Sequence, residues 1–132
     1  TAMCDLDEDC LKRAKDEIGL EESQCYRIYE DMLEKADIDA VVISTPMQCH
    51  VPQAILALQA GKHVMCEKPM AKTASDAKRM LEAARETGKK LTIGYQHRQK
   101  AQSIVSKAFI ERGDLGEVWP GAGGDPLTGA YF

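Results

Sequence analysis

Apolar positions along this chain switch repeatedly between the 3.6-residue period of a helix and the short continuous runs of a buried strand. Asp7 to Gly19 reads as a helix, with Leu11, Ala14 and Ile18 on one face and Gly19 placed to close it. Tyr26 to Tyr29 reads as a short strand, and Glu30 to Ala36 as a short helix with Met32, Leu33 and Ala36 on its apolar side. Ala40-Val41-Val42-Ile43 is an unbroken apolar run, the pattern of a strand covered on both faces in a parallel sheet. It stops at Ser44-Thr45-Pro46. Val51 to Ala60 is expected to be helical, with Val51, Ala54, Ile55 and Leu58 inward and Gly61 beyond its end.

His63-Val64-Met65-Cys66 reads as the next strand and ends at Glu67-Lys68-Pro69. Thr73 followed by Asp76 has the spacing of a hydroxyl cap with a carboxylate three residues on. The helix it opens would turn Ala77, Met80, Leu81 and Ala84 inward and end near Gly88. Leu91 to Tyr95 is a further strand, ending at Gln96-His97-Arg98. A helix with Ile104, Val105, Ala108 and Phe109 inward runs to Gly113, and Glu117-Val118-Trp119 would open another strand.

Strands alternating with helices over short connections define an α/β fold, a doubly wound parallel sheet. Right-handed crossovers bring the C-terminal ends of all its strands to one edge. Asp5, Thr45, Glu67-Lys68 and Gln96-His97-Arg98 all fall at such ends, and that edge is where open α/β sheets bind ligands. The length, 132 residues, suits one domain. The segment 120–132, with Pro120-Gly121-Ala122-Gly123-Gly124, has neither period and is expected to be an irregular, poorly ordered tail.

Composition removes several functional classes. The net charge is −4 and the basic residues are scattered, which leaves no nucleic-acid footprint and no polybasic membrane patch. No apolar run reaches the roughly 18 residues that span a bilayer. Five cysteines stand at irregular spacing with no Cys-x-x-Cys pair, so a zinc or dithiol motif is not expected, and no metal site is assigned. Reduced thiols in a cytoplasmic protein are the simplest reading.

The polar strand ends admit two readings each. Asp5 can accept both hydroxyl hydrogens of a ribose, or Asp5 or Asp7 can cap the following helix. Thr45-Pro46 can meet a ligand, or merely end its strand. His50 can cap a helix or face a bound ring, and no second ligand stands at metal spacing from it. Glu67-Lys68 can be a surface ion pair or a reactive group. Pro69 admits a cis peptide before it.

Val41-Val42-Ile43-Ser44-Thr45-Pro46, His50, and Ala60-Gly61-Lys62-His63-Val64-Met65-Cys66-Glu67-Lys68-Pro69 together resemble the Gfo/Idh/MocA oxidoreductases (the glucose–fructose oxidoreductase and inositol dehydrogenase type). Gly94-Tyr95-Gln96-His97-Arg98 is similar to that family's next strand end, and Gly113-Asp114-Leu115-Gly116-Glu117-Val118 to its passage towards a second domain. The likeness implies a Rossmann-type sheet, a nicotinamide cofactor, and hydride transfer to or from a sugar, polyol or related carbohydrate. It implies that Lys68 meets the reacting carbon's oxygen. It also implies cofactor contacts at Asp5, Thr45, Pro46, His50, Glu67, Lys68 and Gln96. A carboxylate at Asp5 would favour NAD over NADP. A homo-oligomer is implied for the full-length form. NAD-dependent glycosidases of the same family and a non-catalytic fragment are the alternatives.

Two features of the family pattern are not found within these 132 residues: the Gly-x-Gly-x-x-Gly turn and the substrate domain. Residues 1–119 therefore read as a partial dinucleotide-binding domain that lacks its first strand. That strand is central in the order 3-2-1-4-5-6, so its neighbours would carry open edges, and the isolated chain is expected to be unstable or to associate.

Overall fold

The structure is a computed structural model, and residues 1–117 are described. Their chain path divides into two units, Thr1–Gly94 and Tyr95 onward. The first unit holds five strands in two parallel sheets. β1 (Met3–Cys4) pairs with β2 (Cys25–Tyr26). β3 (Ala40–Ile43), β4 (His63–Cys66) and β5 (Leu91–Ile93) form the other sheet, in that order. No ladder joins β1 to β3 among the described residues. The α/β class and the parallel direction of every pair agree with the sequence reading.

The helices form where caps and periodicity place them. α1 (Glu8–Ile18) starts because the Asp7 carboxylate accepts from the Asp9 and Cys10 amides, and it ends at Gly19 in the left-handed region. α2 is Tyr29–Lys35. α4 (Ala74–Thr87) is capped by the Thr73 hydroxyl, which accepts from the Asp76 amide and donates to the Asp76 carboxylate. α3 spans Met47–Gln59, four residues earlier than expected. Proline disfavours helix in the residue before it, which hid this start, yet Pro52 lies inside the helix.

The core is built by α3 and α4 lying on one face of the three-stranded sheet. Val41, Ile43, Val64 and Cys66 point into it and meet Ala54, Ala57, Leu58, Met80 and Ala83. Met32 and Leu33 of α2 join them, while Ala2, Cys4 and Tyr26 pack against the same cluster. The opposite face of the sheet departs from expectation. Val42 is 66% exposed and Met65 42% exposed, and the two are register partners. Among the described residues, the run over β3 is thus covered on one face, not two. Ile18 and Leu81, expected inward, are also exposed, because the last turn of α1 carries Ile18 beyond the core and Ala83 takes the buried position on α4.

The second unit has a 3-10 helix at Gln96–Gln99 followed by α5 (Ala101–Glu111). Ile104, Val105 and Phe109 are exposed there, against the expectation that they point inward, and the Arg112 guanidinium lies over the Phe109 ring, 4.7 Å from its centroid. Glu117 is a bend. The strand expected at Val118-Trp119 and the tail 120–132 lie outside the described residues.

Candidate functional site

The residues singled out at the ends of β3 and β4 come together. Ile43 is followed by Ser44-Thr45-Pro46, and Cys66 by Glu67-Lys68-Pro69, on the same edge because the strands run parallel. The Glu67 amide continues the ladder to the Ile43 carbonyl at 2.9 Å, so the two turns leave the sheet side by side. The peptide between Lys68 and Pro69 is cis.

Each polar group has a definite neighbour. The Thr45 hydroxyl donates to the side-chain oxygen of Gln53 at 2.6 Å. The Gln53 backbone carbonyl in turn accepts from the Tyr29 hydroxyl at 3.1 Å. Burial, reinforced by nearby Cys4, Cys66 and Glu30, pushes Tyr29 far above the ordinary phenol range, so it remains a donor. A Glu67 carboxylate oxygen accepts from the Lys68 amide at 3.0 Å. The same carboxylate lies against Gly94 at the end of β5, where a Cβ would come within 3.0–3.1 Å of its atoms. Gly94 therefore leaves the room in which Glu67 folds back over the sheet edge. Lys68 is exposed, and among the described residues its ammonium has no ion-pair partner. The surface ion pair is therefore not what Glu67-Lys68 forms.

His50 is placed differently from a residue facing a ligand. It is 2% exposed, and its two ring nitrogens meet the carbonyl oxygens of Pro69 and Thr45, each at 2.8 Å. Asp5 follows β1, with its amide on the Tyr26 carbonyl. Its Oδ1 accepts from the Asp7 amide at 3.0 Å, while Asp7 does the capping of α1. Gln96 belongs to the second unit, in the 3-10 helix. Gln53 and Gly94 were not singled out from the sequence. Gln53 directly follows an interior proline, and the role of Gly94 depends on a side chain 27 positions earlier.

Cys66 is buried at the end of β4, and its carbonyl accepts from the Gly94 amide at 2.8 Å. Burial first, and then the neighbouring Glu67 charge, raise its thiol to about 11. The folded thiol keeps its proton to higher pH than the unfolded one, so this group weakens the fold as pH rises from the ordinary thiol range towards about 11. Reactivity follows the thiolate and its exposure. In the folded chain, mass-resolved alkylation at mildly alkaline pH is expected to modify half-buried Cys25 and Cys49 on the order of tenfold faster than Cys66. The difference should vanish in denaturant.

Open parallel α/β sheets bind ligands at the carboxyl ends of their strands, and here a carboxylate (Asp5), a hydroxyl (Thr45) and an ammonium with no ion-pair partner among the described residues (Lys68) follow three strands. The chain belongs to the Gfo/Idh/MocA oxidoreductase family: the model of its NAD-binding Rossmann fold matches residues 1–95. Inositol 2-dehydrogenase of Salmonella typhimurium is 33% identical over 117 residues, which is 88% of this chain and 34% of that protein. The scyllo-inositol dehydrogenase structure from Lactobacillus casei with bound NAD(H) and scyllo-inositol superposes with a TM-score of 0.81 at 30% identity, over 89% of this chain and 34% of that one. The WlbA dehydrogenase from Bordetella pertussis, in complex with NADH and UDP-GlcNAcA, gives 0.83 at 36% identity, over 90% and 34%. The chain thus spans about a third of the length of these relatives. No helix among the described residues is long and apolar enough to cross a membrane.

Proposed function

We propose that residues 1–119 are a partial dinucleotide-binding domain that holds NAD along the strand-end edge. In a protein of the relatives' full length, that edge would present Lys68 to a carbohydrate or polyol undergoing oxidation or reduction. The observation that carries this reading is the exposed Lys68 ammonium, free of an ion pair among the described residues. It stands on a turn whose neighbouring carboxylate is already held by a backbone amide. The relatives' names, inositol dehydrogenases and sugar reductases among them, support a carbohydrate substrate.

The donor set fits the cofactor. Asp5 keeps its second carboxylate oxygen without a hydrogen-bond partner among the described residues, free to accept a ribose hydroxyl, and its charge repels a 2′-phosphate. Thr45, aligned by Gln53, retains acceptor capacity on its hydroxyl, and Pro46 shapes the wall beside it. Glu67 contacts the nicotinamide side or orients Lys68, and the family resemblance supports a cofactor contact for Gln96. When bound, the nicotinamide accepts or supplies the hydride. The Lys68 ammonium donates a hydrogen bond to the substrate oxygen, stabilises negative charge that builds there, and exchanges the hydroxyl proton. The five unpaired cysteines support a cytoplasmic setting. The family resemblance supports a homo-oligomeric full-length form.

Calorimetric titration of the folded chain with NAD and NADP tests the cofactor assignment. NAD is expected to bind at least about tenfold more tightly, and Asp5→Ala to abolish most of that preference. No heat with NAD from folded protein would refute the assignment.

A further inference from the structure

Thr45 is held from two sides by α3. His50 Nε2 lies 2.8 Å from its backbone carbonyl oxygen. Gln53, three residues further along the helix and so on the same side, meets its hydroxyl at 2.6 Å. The base of the Gln53 side chain is itself fixed, because the Tyr29 hydroxyl donates to the Gln53 backbone carbonyl at 3.1 Å. Among the described residues the Thr45 hydroxyl has no other partner, and Thr45 is exposed at the strand-end edge.

The direction of this hydroxyl–amide bond decides what Thr45 can offer a ligand. A glutamine amide can present oxygen or nitrogen to a hydroxyl. N–H···O bonds run from about 2.7 to 3.2 Å and O–H···O bonds from about 2.5 to 3.0 Å. The 2.6 Å separation therefore belongs to the Thr45 hydroxyl donating to the Gln53 amide oxygen. Threonine has one O–H and two lone pairs. With the O–H given to Gln53, only lone pairs remain for a ligand. An ionised phosphate oxygen also only accepts, so it would set lone pair against lone pair. A sugar hydroxyl can donate.

We propose that Gln53 is a positioning residue that makes Thr45 an acceptor-only group, so that a dinucleotide meets Thr45 with a ribose hydroxyl and not with its pyrophosphate. The ligand part rests on the reading of this edge as the NAD site. The orientation of the hydroxyl stands without it.

Carbon-13 and nitrogen-15 spectra of glutamine-labelled chain, in solution or by magic-angle spinning for associated material, test the orientation. Thr45→Val removes the hydroxyl and keeps the side-chain shape. The Gln53 side-chain carbonyl carbon is expected to move upfield as it loses its donor, while the Gln53 side-chain amide nitrogen stays nearly unmoved. A shift of the amide nitrogen with an unmoved carbonyl carbon overturns the acceptor assignment, and so does no shift of either.

NAD affinity tests the ligand part. Gln53→Met keeps the length of the side chain but has no amide oxygen, and it is expected to weaken NAD binding about three- to tenfold. In a Thr45→Val background the same substitution is expected to cost nothing further, because Gln53 acts through that hydroxyl. An equal loss in both backgrounds, or none in either, overturns the positioning role. Among NAD analogues that each lack one ribose hydroxyl, one is expected to bind the parent chain and Thr45→Val alike. Should every analogue keep the full difference, the partner of Thr45 is not a ribose hydroxyl and the ligand part is overturned. Should the folded chain not bind NAD, the cofactor reading falls while the carbon spectrum still decides the orientation of Thr45.

Discussion

Lys68→Met is expected to lower turnover on the order of a hundred- to ten-thousand-fold in a protein of the relatives' full length that carries this domain, and to leave NAD affinity within about twofold. Methionine keeps an unbranched stem of similar length but has no N–H to donate and no charge to place beside the substrate oxygen. The fold should not register the change. Lys68 is exposed, and no ion pair involving its ammonium exists among the described residues to be broken. The backbone amide that holds the Glu67 carboxylate is untouched by the substitution. The loss should therefore appear in kcat and in single-turnover rates, and not in the thermal midpoint or in NADH fluorescence titration. Retention of most of the activity would remove Lys68 from the reaction.

The placing of Lys68 was legible because it depends on short-range grammar. A β-branched run, a turn with proline and a helix with a hydroxyl cap fix where each strand ends, and parallel pairing puts those ends on one edge. Asp7 as the cap of α1 and Thr73 as the cap of α4 were readable for the same reason. Interactions that cross between elements were not. His50 reads as a ring available to a ligand until the fold brings the carbonyls of Thr45 and Pro69 to both its nitrogens. Gln53 aligns Thr45 only because α3 begins before its proline. Periodicity also overstated burial. Val42 and Ile104 are apolar at positions suited to a covered face, and among the described residues nothing covers them. A sequence records what a surface is fit to meet, and exposure records whether it is met.

That distinction has a measurable consequence for two residues of similar character. Leu58 is fully buried between α3, α4 and the sheet, whereas Val42 stands on the bare face. Leu58→Ala removes buried methyl groups and leaves a cavity, a loss of about 2–5 kcal/mol. Domains of this kind hold only about 5–15 kcal/mol in total, so denaturant unfolding followed by circular dichroism should show a midpoint far below that of the parent chain. Val42→Lys places its ammonium in water and should cost under about 1 kcal/mol. A cost as large as that of Leu58→Ala would mean that the second face is covered after all. The two substitutions should also separate in association. Val42 and Met65 form an exposed apolar row, and β1 and β3 each present a strand edge with no ladder partner among the described residues. Sedimentation of the 132-residue chain is expected to depend on concentration, and Val42→Lys to reduce that dependence because a charge on the row must be desolvated before two copies can meet there. A chain that sediments as a monomer at every concentration and melts cooperatively and reversibly would show instead that the one-sided core is sufficient and that the open edges are shielded by their own twist and flanking turns.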